Sequence, residues 1–200
     1  HHNRGSTVFN GQGNTISHLT IDGGGPGNIG LFGYISPGGV GRNLHRRDAQ
    51  RTGGSDVGGI AGCNWGGTLA ACSFHGTVKA TGAYAGGIAG VNTGGIYGCY
   101  SIATSVAAGS DAYGIAGENS TPSSGCHWLT GGEVQPTEAA YNNSYYGSTT
   151  DYCNPFTNAD GITQANINLM NDAITGYYPG YTMIWKAGTG TDGWPGLVDK

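Results

Sequence analysis

One short segment recurs along the middle of the chain and limits the folds that are open to it. The segment Gly87-Ile88-Ala89-Gly90-Val91-Asn92 has close copies at residues 59–64 and 114–119, and residues 30–33 form a more distant first copy. The leading glycines, at positions 30, 59, 87 and 114, are therefore spaced by 29, 28 and 27 residues. A nearly fixed period of this length is typical of stacked-repeat proteins.

A second block, in phase with the first, indicates that each repeat contains short β-strands separated by glycine turns. The chain has 41 glycines in 200 residues, so turns must be frequent, and no single unit has enough apolar surface to fold alone. Stacking the units about 4.8 Å apart, with hydrogen bonds along the strands, solves this problem. The sequence thus predicts an all-β fold, a parallel β-helix or solenoid of about four coils.

Such stacking predicts columns of like side chains. The predicted ladder comprises Ile60, Ile88 and Ile115 in the core, Asn64, Asn92 and Asn119 at a tight corner, and Cys72, Cys99 and Cys126 as buried thiols. No Cys-x-x-Cys pair occurs, so we expect no metal and no cofactor. Five cysteines cannot all pair within one chain, and the sequence leaves open whether Cys63 and Cys153 form a disulfide.

Composition argues against several classes of function. Charged residues make up 10% of the chain and the net charge is -4, which gives no broad electrostatic basis for binding nucleic acid. No apolar run approaches the roughly 20 residues that span a bilayer, so we expect no direct membrane insertion. Motifs for a serine nucleophile, a zinc protease or a phosphate-binding loop are also absent from the sequence.

The repeat resembles the GLUG repeat of bacterial surface proteins. The likeness rests on Gly-Gly-Ile-Ala-Gly-x-Asn-x-Gly-Gly, followed by an apolar residue and a Cys-Tyr or Cys-Ser pair. Residues 9–21 are similar to the segment that precedes such arrays, and residues 161–197 to the segment that closes them. The resemblance implies a right-handed coil and an extracellular or bacterial cell-surface location. It also implies an adhesin-like, non-catalytic section of a longer polypeptide.

We expect one structural domain with three sections: a lead-in strand and N-terminal coil at 1–28, repeat coils at 29–140, and a terminal coil and cap at 141–200. In the last section, Thr163 is placed to cap a short helix that runs to about Ile174. Ile167 and Met170 lie on its apolar face, which is predicted to cover the final coil. Residues 141–146 are predicted to form an irregular last strand.

One segment departs from the family pattern. Where the family usually shows Asn-Leu-x-Val, this chain reads Asn43-Leu44-His45-Arg46. Either the strand shifts register and turns Arg46 outward, or the coil is locally open. The surrounding run contains four of the chain's 8 basic residues, Arg42, Arg46, Arg47 and Arg51. We predict that these residues bind anionic glycans.

Two functions from different classes fit these features. The leading hypothesis is a binding or scaffold module that contacts a glycan or a host or cell-surface protein through exposed aromatic rings. The candidate rings are Trp65, Tyr84, Tyr97, Tyr113 and Trp128, although packing over coil corners explains each of them equally well. The alternative is a polysaccharide lyase or hydrolase whose catalytic group is His45, Arg46, Arg47 and Asp48. A spacer without a ligand is a third option.

Overall fold

The computed structural model describes residues 7–25, 27–121, 123–130, 140–142, 150–151, 153–157, 161–178, 180–190 and 193–200. Within these ranges the chain winds into a parallel β-solenoid of about four turns. Three parallel sheets run along the solenoid, and one helix and one antiparallel hairpin follow it near the C-terminus. The predicted all-β class, the parallel coil and the short C-terminal helix are confirmed.

The strands follow the repeat closely, because glycine-rich turns separate them at matching positions in each coil. The first coil contains β1 (Val8–Asn10), β2 (Thr15–Ser17), β3 (Thr20–Asp22) and β4 (Phe32–Ile35). The second and third contain β5 (Val40–Gly53), β6 (Val57–Gly58), β7 (Ala61–Asn64), β8 (Thr68–Ala80), β9 (Tyr84–Gly86) and β10 (Ala89–Asn92). The fourth contains β11 (Gly95–Tyr97), β12 (Tyr100–Ala107), β13 (Asp111–Tyr113) and β14 (Ala116–Asn119).

A further partial coil contains β15 (Ser123–Ser124), β16 (His127–Leu129) and β17 (Ala140–Asn142), and the next level contains β18 (Thr150–Asp151) and β19 (Asn154–Phe156), which pair with β15 and β16. Each strand pairs in parallel with its equivalent in the next coil, as β5 does with β8 and β7 with β10. β17 covers the start of the last strand predicted at 141–146, and the rest of that prediction lies outside the described residues.

Equivalent residues of successive repeats lie directly above one another. Ala61, Ala89 and Ala116 are paired in register, and the isoleucine before each of them is fully buried. At the next corner the amides form a continuous chain: Nδ2 of Asn64 donates to Oδ1 of Asn92 at 2.7 Å, and Nδ2 of Asn92 donates to Oδ1 of Asn119 at 2.7 Å. This chain joins three coils along the solenoid axis.

The cysteines form a second column. Cys72, Cys99 and Cys126 are fully buried, and the backbone N–H of Cys72 donates to Sγ of Cys99 at 3.4 Å. Burial raises the pKa of Cys99 and of Cys126 well above the ordinary value, so both thiols stay protonated. Cys153 extends the column as a side-chain neighbour of Cys126, whereas Cys63 belongs to another sheet, and no disulfide joins any of the five cysteines.

The first glycine of each repeat segment makes room for an interior side chain. A Cβ on Gly114 would lie 2.1 Å from Cγ of Trp128, and a Cβ on Gly59 would lie 2.3 Å from Cγ of Phe74. Both contacts are far shorter than van der Waals distance, so the rings pack directly on the glycine backbone. The glycine that opens the repeated segment is therefore a packing requirement of the core at these two positions.

Helix α1 (Gln164–Tyr177) begins where the sequence predicts. Thr163 is its N-cap and forms a capping box with Asn166. Its predicted apolar face is buried, but it does not lie over the end of the solenoid. Instead, α1 runs along the side: a Cβ on Gly98 would lie 2.5 Å from Cγ1 of Ile174, and one on Gly125 would lie 2.7 Å from Cβ of Ala173. Left-handed corners in successive coils leave a flat strip that the helix occupies.

The hairpin of β20 (Met183–Lys186) and β21 (Gly196–Asp199) continues this side layer toward the first coil. Nε1 of Trp185 donates to the carbonyl of Gly98 at 2.7 Å, and the hydroxyl of Tyr100 donates to the carbonyl of Pro195 at 2.7 Å. A Cβ on Gly13 of the first coil would lie 3.1 Å from Met183. The described residues 161–178, 180–190 and 193–200 thus form a lateral buttress, a term we use below for this segment.

Candidate functional site

The basic run is divided between two sides of β5, because side chains alternate along a strand. Arg46 and Arg51 are 0% and 1% exposed and occupy interior positions. The register shift expected in this segment does occur, but it falls after Arg46, at an irregularity between Arg46 and Ala49. Arg46 therefore stays in register with the buried Phe74, and the outward turn considered from the sequence does not take place.

The four residues of the alternative catalytic group do not meet at one point. His45 faces the lateral buttress, where its Nδ1 lies 2.7 Å from Oγ of Ser73 and its ring packs edge-on against Trp185. Arg46 points into the solenoid interior. Asp48 lies at an exposed corner with left-handed backbone and approaches His18 at 3.6 Å. Arg47 and His45 both line a small cavity of about 100 Å³ against the buttress, so two of the four residues meet there.

The predicted aromatic platform is also dispersed. Trp65 is 51% exposed at a coil corner, whereas Trp128 is only 4% exposed, because its ring fills the interior space beside Gly114. The exposure expected for Trp128 is therefore wrong. Tyr97 is half-buried and stacks on Tyr177 of the buttress, with ring centroids 3.7 Å apart. The remaining two candidates, Tyr84 and Tyr113, are half-buried.

Arg42, the first member of the basic run, reaches a polar cleft between the first two coils and the lateral buttress. The cleft has a volume of about 470 Å³. The side chains that give it its chemistry are Asn10, Gln12, Arg42, Asn43, Tyr181 and Asp199. We call it the coil–buttress cleft.

Backbone geometry and ring packing position these side chains. Asn43 adopts a left-handed conformation (φ 56°), which asparagine tolerates better than most residues, and its Nδ2 donates to Oδ1 of Asn10 at 2.8 Å. The guanidinium carbon of Arg42 lies 5.8 Å from the ring centroid of Tyr181, within cation–π distance. Burial raises the pKa of Tyr181, so its hydroxyl is neutral and able to donate.

Three buried polar atoms at this cleft have no hydrogen-bond partner among the described residues. They are Nε of Arg42, Oδ1 of Asn43 and the hydroxyl oxygen of Tyr181. Buried polar groups are nearly always paired, and an unpaired one costs about 1–3 kcal/mol. Just beneath its surface the cleft therefore has one unused donor, one unused acceptor and one group that can act as either.

The sequence identified only Arg42 among the cleft side chains. Asn43 stood next to it in the basic run but was considered only as part of the repeat pattern. Tyr181 belongs to a distant part of the chain, and no periodicity connects it with the first coils. In the described parts of the chain, no cluster of three or more His, Cys, Asp or Glu side chains could hold a metal ion. The described helix is too short to cross a membrane.

Comparisons with known proteins show similarity over different parts of the chain. No family model matches it. A stretch of 70 residues, 35% of the chain, is 44% identical to Halomucin of Haloquadratum walsbyi, and the match spans only 1% of that protein. A Bacteroides ovatus protein provisionally assigned as an immunoglobulin A1 protease has a similar structure, with a TM-score of 0.52 at 19% identity. That match covers 94% of this chain and 76% of the other, and it shows a shared fold alone.

Proposed function

We propose that this chain is a non-catalytic binding module of a secreted or cell-surface protein, of the GLUG-repeat kind, and that its coil–buttress cleft binds a glycan. The observation that carries the proposal is the set of unpaired polar atoms on Arg42, Asn43 and Tyr181 in one cleft. A sugar ring presents closely spaced hydroxyl groups that both donate and accept. These atoms have almost no exposed surface, so such a ligand satisfies all three only after the side chains shift to expose them.

The guanidinium group of Arg42 favours a sugar that carries a carboxylate or sulfate group. Arg42 supplies a positive charge beside the neutral Tyr181, whereas the exposed carboxylate of Asp199 supplies an opposing negative charge among the lining residues. Binding of an anionic sugar at Arg42 would weaken as salt screens the attraction. The likeness to Halomucin supports a location outside the cell, and the rigid stacked fold suits a module that presents a fixed surface.

The separation of His45, Arg46 and Asp48 supports a non-catalytic role. General acid–base catalysis needs donor and acceptor groups within hydrogen-bond reach of one reacting atom. Here one of the three residues is interior, one is packed under Trp185, and one lies at an exposed corner.

The test is an incubation of the whole chain with a panel of neutral and anionic polysaccharides, at low and high salt. Both retention of the polysaccharide and shortening of its chains are measured. We expect salt-sensitive retention without shortening. Tyr181→Phe, which removes only the unpaired hydroxyl, should weaken binding about 5- to 10-fold, the effect of one lost hydrogen bond. Arg42→Gln should abolish the salt dependence.

Trp65→Ala is the matched control, because this exposed ring lies at a coil corner and does not line the cleft. Binding that is lost in Trp65→Ala but kept in Tyr181→Phe and Arg42→Gln would move the site to the aromatic corner. Shortening of the polysaccharide would overturn the non-catalytic proposal. Retention of no polysaccharide would leave a spacer or a protein-binding module as the function.

A further inference from the structure

The interior of the second coil contains two arginines where its neighbours have apolar side chains. Arg46 stands in one column between Ile16 of the first coil and Phe74 of the third. Arg51 stands in another between Ile21 and Val78. Both arginines are almost completely buried, so the coil encloses two guanidinium groups within its core.

The two side chains are held in the same way. Nη1 of Arg46 donates to the carbonyl of Ile16 at 3.0 Å, and Nη1 of Arg51 donates to the carbonyls of Leu19 at 2.6 Å and Gln50 at 2.8 Å. In both arginines, Nε and Nη2 are buried and have no partner among the described residues. These two nitrogens form the edge of the guanidinium group that binds oxyanions through two parallel hydrogen bonds.

No protein group in the described part of the chain neutralises these charges, since neither arginine forms an ion pair with a carboxylate there. Burial and the neighbouring Arg46 lower the pKa of Arg51 to about 10, which still leaves the side chain charged at neutral pH. A buried ion without a counter-ion destabilises the fold even after the surrounding structure relaxes. Two like charges in one coil increase that destabilisation.

We infer that the interior of the second coil is a binding site for a small inorganic anion, held by the free Nε–Nη2 edges of Arg46 and Arg51. The anion supplies the missing negative charge and accepts hydrogen bonds from the four unpaired nitrogens, which have almost no exposed surface and must shift to admit it. It acts as a structural counter-ion of the core. The site is separate from the coil–buttress cleft, which Arg42 lines from outside the solenoid.

The first experiment measures the thermal unfolding midpoint of the whole chain after exhaustive dialysis into a buffer whose only anion is large and organic. Chloride or sulfate is then added at constant ionic strength. We expect a saturable rise of about 5 °C when the anion is at a hundred times its dissociation constant. The double variant Arg46→Met, Arg51→Met, which keeps an unbranched side chain at each position but removes the charges, should show no such rise.

The control is Arg47→Met, which removes a half-buried arginine from the opposite side of the same strand and should respond like the parent chain. An equal rise in the double variant, or no rise in the parent chain, would overturn the site. If the double variant does not fold, crystals of the parent chain soaked in bromide decide the question. An anomalous peak within hydrogen-bond distance of both guanidinium groups supports the site. The absence of a peak there refutes it.

Discussion

The second and third coils follow the same backbone path but fill their interiors with different side chains. Phe74 and Val78 fill the third coil with apolar surface, whereas Arg46 and Arg51 occupy the same columns in the second coil. The strands β5 and β8 nevertheless pair along nearly their whole length. Backbone stacking therefore tolerates a complete change of interior chemistry. The difference in side-chain chemistry appears instead as unpaired donors in the second coil.

The largest effect is expected from truncating Phe74, the apolar residue that occupies the same column as Arg46. Phe74→Ala leaves a cavity that rigid neighbouring coils cannot fill, and it should lower the free energy of unfolding by about 4 kcal/mol. Urea denaturation followed by circular dichroism measures this change. A loss below about 1 kcal/mol would mean that the third coil collapses around the gap, in contrast to the close packing described above.

A second substitution tests Gly114, the glycine against which the interior ring of Trp128 packs. Gly114→Ala places a methyl group where the Trp128 ring lies, and overpacking of this kind should cost about 3 kcal/mol. Gly27→Ala is the matched control, because a Cβ there meets no atom of the described residues within 4 Å. Comparison of the urea midpoints of the two variants isolates the cost of placing a methyl group against the Trp128 ring. Equal midpoints would show that Trp128 can move away from Gly114 at no cost.

The smallest expected effect concerns His127, a buried side chain that is neutral in the folded protein. Nδ1 of His127 lies 3.0 Å from the carbonyl of Asn154 and is inferred to carry the proton, while the buried Nε2 has no partner among the described residues. Burial lowers the pKa of His127. The unfolded chain, with an ordinary histidine pKa of about 6.5, therefore takes up this proton at a higher pH than the folded protein does.

His127 thus contributes stability that is full above about pH 6.5 and is lost as the pH falls toward the lowered folded pKa. The loss should reach at most about 1.4 kcal/mol per pH unit. Urea denaturation at several pH values between 5 and 7.5 (roughly one unit either side of the histidine pKa) measures the slope. His127→Gln keeps a hydrogen-bonding side chain and should flatten it. Identical slopes in the two proteins would show that His127 is charged or solvated in the fold.

Sequence reasoning was effective for the coil and the helix, but not for the orientation of Arg46. The repeat period predicted the coil, and the pattern around Thr163 predicted the helix and its apolar face. The departure from the repeat at Arg46 identified the unusual coil. The direction in which the Arg46 side chain points was not predictable. A one-residue irregularity before Arg46 would turn the side chain outward, whereas one after Arg46 leaves it inside.

What the sequence determined by itself is the stack. Repeats of nearly equal length can bury their apolar residues only against one another, so the ladder of Ile60, Ile88 and Ile115 follows from the period alone. Only the tertiary structure decided where the lateral buttress lies, and with it the coil–buttress cleft. Arg42 and Tyr181 meet there because the last 40 residues of the chain, 161–200, fold back along the side of the solenoid. That docking depends on the shape of a surface that exists only after the coils have stacked.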